Sequence, residues 1–201
     1  KLRKYSPTII RRNNCEPLSG WATPSPSAYL LQLDIALIPQ LPTLAIGGLR
    51  TQMIDSISIA GKKIGPNSPC YVIAEVSANH NQDIEIAKET VRAAAEAGAD
   101  AVKFQTYTPD TLTFDSDDEI FRIDHGTAWD GRTLYSIYSE GYMPWEWHAE
   151  LFELANSLGL AAFSSPFDST AVDYLANLDV PAFKIASFEI IDIPLIQHVA
   201  R

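Results

Sequence analysis

The stretch Ala182–Glu189, with the sequence AFKIASFE, places Lys184 inside a run that otherwise has the composition of a buried strand. A second stretch, Asp100–Tyr107 (DAVKFQTY), alternates apolar and polar side chains around Lys103 in the same way. Alternation with a period of two sends successive side chains to opposite faces of a strand. Because helical patterns separate the two stretches, we predict two parallel strands of one sheet, with helices on the outer face and both lysines pointing inward.

A strand followed by a helix occurs four times along the chain. The predicted strands are Cys70–Val76, a second strand ending near Thr106, Leu160–Ser165 and Ala182–Glu189. Such repeats predict either an open doubly wound sheet or the first half of an eight-stranded (β/α)8 TIM barrel, and we favour the barrel in this α/β chain. No GxGxxG follows the first strand and no phosphate-loop motif occurs, which disfavours nucleotide-binding folds.

The helices of these repeats carry recognisable ends. Asp83 is a predicted cap for a helix that runs to about Ala97, and either Asp168 or Ser169 caps the helix after the third strand. A short hairpin is predicted over residues 54–64, with its turn at residues 60–63.

Residues 1–52 differ from the rest of the chain. They contain six of the 13 prolines and a net charge of +4, against −14 for the remainder. Three interpretations stay open for this segment: a targeting peptide, a disordered arm, or upstream sequence joined in error to the natural protein. We favour Met53 as the natural start, with residues 1–52 unstructured or non-native and residues 53–201 forming a partial barrel domain.

Composition excludes several classes of function. A net charge of −10 disfavours binding to nucleic acid or to an anionic membrane, since both select basic surfaces. No apolar run reaches the ~20 residues of a membrane-spanning helix. Cys15 and Cys70 are the two cysteines and fit neither a disulfide framework nor a zinc site, so we expect a reducing, cytoplasmic location.

Polar side chains recur at or just after the carboxyl ends of the predicted strands: Glu75, Lys103, Ser165, Lys184 and Ser187. In a barrel these groups collect at one mouth, where two ammonium groups and hydroxyls can bind a small phosphorylated acid. A carboxylate among them can position or deprotonate a hydroxyl or a water. The alternatives are that Glu75 is only a counter-ion for a buried lysine, and that the serine hydroxyls bond to backbone.

The histidines show no metal-ligand spacing. His80, His125 and His148 are therefore predicted to be surface or capping residues rather than ligands. Trp145 and Trp147 are predicted to pack at the start of a helix.

Several separated motifs, spread in order over about Pro69–Arg201, resemble the sialic acid synthase family. They are AEVSANH at 74–80, KFQTYTPD at 103–110, SSPF at 164–167 and FKIASFE at 183–189. Two more motifs, WDGRTLY at 129–135 and PWEWH at 144–148, resemble the pseudaminic acid synthase branch of that family.

The resemblance implies an enzyme that condenses phosphoenolpyruvate with an acetamido-deoxy sugar, here a 2,4-diacetamido-2,4,6-trideoxy hexose, and releases phosphate. The enol carbon attacks the sugar aldehyde, water adds at the second carbon, and the tetrahedral intermediate loses phosphate. A divalent metal, Mn²⁺ or Mg²⁺, is expected to polarise the aldehyde. The family also implies a homodimer. N-acetylneuraminate or legionaminate synthesis is the alternative activity within the family.

The same resemblance assigns roles to matching residues. The catalytic residues it implies are Glu75, Lys103 and Lys184. The substrate-binding residues it implies are Asn79, Gln105, Ser165 and Ser187. Lys103, Ser165 and Lys184 would hold the carboxylate region of phosphoenolpyruvate and Ser187 its phosphate, while Glu75 would contact the sugar or the attacking water and Gln105 would support the same wall.

Two departures from the family are expected to matter. Gln82 stands where the family loop often has glycine, and residues 124–129 replace a more glycine-rich approach to Trp129. The family's metal-binding histidines, further phosphate ligands and antifreeze-like domain come from later sequence, so metal ligands are expected to be absent from this chain. We therefore expect an incomplete, inactive fragment with an open sheet edge that invites association.

Two other hypotheses stay open. Lys103 or Lys184 could form a Schiff base in an aldolase, since a desolvated lysine can attack a carbonyl. The chain could also be a non-catalytic remnant that keeps an anion pocket.

Overall fold

The computed structural model describes residues 56–124 and 126–201, together with the backbone of a two-residue strand, Leu33–Asp34. The prediction that residues 1–52 are unstructured or non-native falls almost entirely outside the described residues. Within the described part of the chain, no helix is long and apolar enough to cross a membrane.

The chain is a mixed α/β protein built around one four-stranded sheet with the strand order β1-β4-β5-β6. Its strands are β1 (Leu33–Asp34), β4 (Ile73–Glu75), β5 (Ala101–Thr106) and β6 (Ala161–Pro166). The last three are parallel, as the repeated pattern predicted, whereas β1 is antiparallel to β4. A separate hairpin pairs β2 (Ile57–Ile59) with β3 (Lys62–Ile64). Its turn is limited to Ala60 and Gly61, which both have positive φ as tight hairpin turns require.

In residues 56–124 and 126–201, six α-helices connect or follow these strands. They are α1 (Ile84–Glu96), α2 (Pro109–Leu112), α3 (Leu134–Gly141), α4 (His148–Ser157), α5 (Ser169–Asn177) and α6 (Ile193–Val199). The Asp83 side chain accepts a hydrogen bond from the Glu85 amide at 2.8 Å and so caps α1 as predicted. Asp168, not Ser169, caps α5 by accepting from two backbone amides.

The two faces of the sheet pack differently. One face carries Ala74, Val102, Phe104 and Ala162, which form the main core with apolar residues of α1, α4 and α5. On the opposite face, apolar packing near the amino ends of the strands involves Phe163 and the hairpin. The polar residues of the opposite face lie toward the carboxyl ends. This arrangement is the one predicted from the alternation in β5.

The predicted fourth strand, Ala182–Glu189, is largely wrong. It is reduced to one parallel bridge between Phe183 and Ser164, continued by a hydrogen bond of 3.1 Å from the Lys184 amide to the Ser164 carbonyl. Ser187 already has helical dihedral angles and precedes a 3-10 helix, Phe188–Ile191. The chain turns there because its hydrogen bonds become local, as in the contact from the Glu189 amide to the Ala186 carbonyl at 3.2 Å.

A cleft of about 530 Å³ lies at the amino-terminal end of the sheet. Tyr71, Lys62 on β3 and Asp100, which immediately precedes β5, are among its lining residues. Lys62 forms an ion pair with the buried Asp100 carboxylate, so the charged groups of this cleft fasten the hairpin to the sheet. The carboxyl ends of the strands, which carry the predicted site residues, lie at the opposite end of the sheet.

Candidate functional site

Three predicted site residues are in direct contact at the carboxyl ends of β4 and β5. The Lys103 ammonium nitrogen lies 3.1 Å from Glu75 Oε2, and Gln105 Nε2 donates to Glu75 Oε1 at 3.0 Å. The side chains of Lys103 and Glu75 are only 3% and 8% exposed. The carboxylate therefore sits between an ammonium group and an amide in a site that largely excludes water.

Strand register explains why these residues meet. Glu75 is paired with Lys103 across β4 and β5, and Gln105 is paired with Ser165 across β5 and β6. Residues paired in register project from the same face, and residues two apart along a strand do so as well. All four side chains therefore belong to the face opposite the main core.

Ser165 differs from its neighbours in lacking a partner. It is 2% exposed, and among the described residues its buried Oγ has no hydrogen-bond partner. The alternative that this hydroxyl simply bonds to backbone is wrong. A buried hydroxyl without a partner costs free energy, so it is available to a ligand that reaches it.

The remaining predicted site residues lie on the segment after β4 and on the segment that bridges to β6. Lys184 is half-buried and lies one residue beyond Phe183, on the segment that bridges to β6. Ser187 is exposed and lies outside the buried cluster. Asn79 lies on the 3-10 helix Ala78–His80 directly after β4, and its Oδ1 is buried without a partner among the described residues.

The contact between Glu75 and Lys103 sets the electrostatics of the site. The counter-ion role considered for Glu75 is the one that this conformation shows. A buried ion pair is neutral as a unit, so Lys103 can attract an anion strongly only if the Glu75 carboxylate is displaced. The site can thus bind an anion, but less strongly than two unpaired ammonium groups would.

A second polar cluster, which sequence reasoning missed, lies behind β5 and β6 on the core side. Thr106 Oγ1 is 2.8 Å from His148 Nε2 and 2.7 Å from Ser164 Oγ, and all three residues are fully buried. Burial lowers the pKa of His148 to about 4, so the ring is neutral at pH 7. Its adjacency to the strand ends could have been found only by aligning the two polar pairs, Gln105–Thr106 and Ser164–Ser165, across the sheet.

The surface part of the histidine prediction is therefore wrong for His148 and for His80, which are both buried. The capping part fits His80, because its Nδ1 accepts a hydrogen bond from the Gln82 amide at 3.2 Å. His80 is 1% exposed, and burial lowers its pKa. Its ring packs edge-on against Trp147 at 5.5 Å between centroids. Trp145 packs against Tyr174 at 4.9 Å, so both tryptophans pack at the start of the helix as predicted. His125 is outside the described residues.

The conformation of Gln82 explains how the chain accommodates one departure from the family, glutamine in place of a frequent glycine. Its φ of +56° lies in the region that favours glycine, which explains why glycine suits this position. The side chain compensates, because its amide donates to the carbonyls of Glu140 and Tyr142 at 3.2 and 2.5 Å. Gln82 thereby ties the loop that carries Asn79 to the end of α3.

The described residues do not fit a metal site. No group of three or more His, Cys, Asp or Glu side chains in residues 56–124 and 126–201 is placed to hold a metal ion. The cluster itself offers ammonium, amide, hydroxyl and carboxyl groups.

Parallel strands with polar groups gathered at their carboxyl ends define the class: an α/β protein whose candidate site occupies the position where such sheets carry their active sites. The NeuB family model matches residues 90–201, just over half of the sequence. The chain belongs to the NeuB family, which confirms the predicted resemblance.

Two relatives and one crystal structure show how far the similarity extends. Pseudaminic acid synthase of Helicobacter pylori is 53% identical over 133 residues, which cover 66% of this chain and 39% of that protein. N,N'-diacetyllegionaminic acid synthase of Legionella pneumophila is 42% identical over 139 residues, covering 69% and 39%. The crystal structure of N-acetylneuraminic acid synthetase from Leptospira borgpetersenii, in complex with citrate, has a TM-score of 0.58 at 28% identity and covers 72% of this chain and 46% of that chain. The chain thus spans about two fifths of the length of these two curated relatives.

Proposed function

We propose that this chain forms the phosphoenolpyruvate-binding part of a nonulosonic acid synthase. The observation that carries the proposal is the buried contact of Glu75 with Lys103 and Gln105 at the ends of adjacent parallel strands. The similarity to pseudaminic acid synthase, at 53% identity against 42% for the legionaminic acid enzyme, favours a 2,4-diacetamido-2,4,6-trideoxy hexose as the acceptor. The proposal includes a cytoplasmic homodimer in which the described sheet is the first half of a (β/α)8 barrel.

In the proposed reaction, a carbon–carbon bond forms between the methylene carbon of phosphoenolpyruvate and the aldehyde carbon of the sugar. Water adds to the second carbon of the former phosphoenolpyruvate, and the carbon–oxygen bond to phosphate then breaks. Lys103, Lys184 and Ser165 bind the carboxylate region, and Ser187 binds the phosphate. The unpartnered Oγ of Ser165 supports this role, because a ligand oxygen would satisfy it.

Glu75 has two successive roles in this proposal. Without ligand it neutralises Lys103 at 3.1 Å. When the carboxylate of phosphoenolpyruvate approaches, the two anions compete for the ammonium group, and Glu75 turns toward the acceptor sugar or the attacking water. Gln105, which donates to Glu75 at 3.0 Å, keeps the displaced carboxylate on the same wall of the site.

The rival aldolase reaction is disfavoured for Lys103. A Schiff base requires a neutral amine with an exposed lone pair, whereas an ion-paired ammonium group is not a nucleophile. Borohydride treatment in the presence of a ketone substrate would label Lys184 if the aldolase hypothesis were correct.

The test is a calorimetric titration of the 201-residue chain with phosphoenolpyruvate. We expect Lys103→Met to weaken binding by about 10- to 100-fold, because a charge-assisted hydrogen bond contributes about 1.5–3 kcal/mol. Glu75→Gln is expected to strengthen binding by several-fold, since it removes the competing anion and keeps the acceptor for Gln105. Lys88→Met is the matched control, because Lys88 on α1 is ion-paired with Glu85 and Glu150 and lies in the helical layer.

A second measurement separates binding from catalysis. Phosphate release is followed with the diacetamido-trideoxy hexose and, in parallel, with N-acetylmannosamine. Release with the first sugar alone supports the pseudaminic activity, whereas binding without release is the outcome expected both of an incomplete synthase site and of a binding module that keeps the anion pocket. Absence of phosphoenolpyruvate binding by the wild-type chain would refute the proposal.

A further inference from the structure

The buried cluster of Thr106, His148 and Ser164 forms a continuous chain of hydrogen bonds. Ser164 Oγ is 2.7 Å from Thr106 Oγ1, and Thr106 Oγ1 is 2.8 Å from His148 Nε2. The other ring nitrogen, Nδ1, lies 3.2 Å from the carbonyl oxygen of Trp145. This hydrogen-bond chain therefore runs from Ser164 on β6 through Thr106 on β5 to His148, the first residue of α4.

Elementary donor and acceptor rules fix the direction of every bond in this chain. A carbonyl oxygen only accepts, so His148 Nδ1 must carry the hydrogen that it donates to Trp145. The fully buried ring is neutral, which leaves Nε2 as an acceptor, and Thr106 must donate to it. Thr106 Oγ1 then accepts the hydrogen bond that Ser164 donates.

This hydrogen-bond chain is connected to the candidate site through the backbone. Thr106 directly follows Gln105, and Ser164 directly precedes Ser165, so each anchored side chain is one residue from a site side chain on the opposite face. A further bond of 3.1 Å from Trp145 Nε1 to the Tyr107 carbonyl holds the same end of β5. The hydrogen-bond chain thus holds the carboxyl ends of β5 and β6 in place from the core side of the sheet.

We infer that His148 is a positioning residue: as the tautomer with hydrogen on Nδ1, it holds the ends of β5 and β6 so that Gln105 and Ser165 are correctly oriented. The part of this inference that concerns ligand affinity rests on the proposed function; the tautomer and the orientation of Gln105 do not. A purely structural histidine would affect stability alone, whereas a positioning residue also changes the site in molecules that remain folded.

Two variants separate the two halves of the imidazole. In His148→Gln the amide oxygen can occupy the place of Nε2 and accept from Thr106. In His148→Asn the amide nitrogen can occupy the place of Nδ1 and donate to Trp145, but the contact with Thr106 is lost. Both variants lose the aromatic packing against Phe152 and Tyr174, so they are matched controls for each other.

The experiment measures three quantities on the 201-residue chain. Long-range ¹H–¹⁵N spectra report the tautomer of His148 in the wild type, its signals being identified by their loss in His148→Gln. Side-chain amide spectra report the environment of Gln105, assigned with Gln105→Glu. Calorimetry reports the affinity for phosphoenolpyruvate of folded His148→Gln and His148→Asn.

We expect the Nδ1–H tautomer, an unchanged Gln105 signal in His148→Gln, and a shifted one in His148→Asn. The affinity should fall by about fivefold in His148→Asn, as for one net hydrogen bond of about 1 kcal/mol, and by less than about twofold in His148→Gln. The Nε2–H tautomer, or an unmoved Gln105 signal in folded His148→Asn, would overturn the inference. If neither variant folds, the wild-type tautomer and the Gln105 signal of Thr106→Val decide the inference about His148. Lack of phosphoenolpyruvate binding by the wild type would refute the proposed function and would leave both spectra unaffected.

Discussion

Replacing Glu75 by glutamine removes a negative charge 3.1 Å from the Lys103 ammonium group while almost preserving the shape of the side chain. At an effective dielectric constant of about 20, two unit charges at this distance attract by roughly 5 kcal/mol. Part of that attraction is offset by the cost of burying both charges, and deletion of one member of a buried pair typically destabilises a protein by about 3–5 kcal/mol. We expect a loss of about 4 kcal/mol, a large fraction of the stability of a domain.

The assay is urea unfolding of the 201-residue chain at pH 7, followed by tryptophan fluorescence and far-ultraviolet circular dichroism. With a denaturant dependence of about 2 kcal/mol per molar urea, the midpoint should fall by about 2 M. Lys103→Met should destabilise by a similar amount. The double variant, however, should lie within about 2 kcal/mol of the wild type, because an uncharged pair of similar volume carries no desolvation cost.

Glu140→Gln is the control for charge removal as such. Glu140 is paired with Arg132 on the surface, where ion pairs contribute little. Equal midpoints for Glu75→Gln and Glu140→Gln would refute the reasoning. Additive effects of Glu75→Gln and Lys103→Met would refute it as well, since the two charges would then act independently.

Three further predictions concern single residues. Burial lowers the pKa of His148 from 6.5 to about 4, so the contribution of the neutral ring to the free energy of unfolding is complete above pH 6.5 and is lost as the pH falls toward 4. In urea unfolding, the stability difference between wild type and His148→Gln should therefore shrink by about 3 kcal/mol from pH 7 to pH 4. Ser165→Ala should raise the free energy of unfolding, by up to about 1–3 kcal/mol, since it removes a buried Oγ that has no hydrogen-bond partner among the described residues, yet it should weaken phosphoenolpyruvate binding by calorimetry; an unchanged affinity would contradict its role. Gln82→Ala should cost about 1–2 kcal/mol in urea unfolding, because it loses the bonds to the Glu140 and Tyr142 carbonyls and keeps the positive φ, whereas Gln82→Gly should cost less.

The inward face of the sheet was predictable because alternation is a local property. In β5 the order Val102, Lys103, Phe104 and Gln105 assigns each side chain to a face without knowledge of any other strand, and the structure has them so. The family resemblance was predictable for a similar reason, since each motif is a short continuous stretch. The contact between Glu75 and Lys103 was considered only as an alternative, because it depends on the register of two strands that are far apart in sequence.

The end of the fourth predicted strand could not be read from the sequence. Ile185 and Phe188 are residue types enriched in strands, so local propensity favours the strand that the chain does not form. Ser187 adopts helical dihedral angles, and the Phe188–Ile191 helix leaves Phe188 89% exposed. Within the described residues, this segment bridges to β6 on one side only, so ladder hydrogen bonds favour strand geometry less than they would between two strands.

Consecutive polar residues at a strand end carry a signal that alternation alone misses. Gln105–Thr106 and Ser164–Ser165 break the alternation, and each pair must send one polar group toward the core. The core-facing members, Thr106 and Ser164, are satisfied by each other and by His148. The members on the opposite face are left for Glu75 or for a ligand, and Ser165 Oγ has no hydrogen-bond partner within the part of the chain that the structure describes. Each of these core-facing polar residues lies directly behind a site residue, and because it is buried it needs a hydrogen-bond partner. Once the two strands are aligned, that need points to His148.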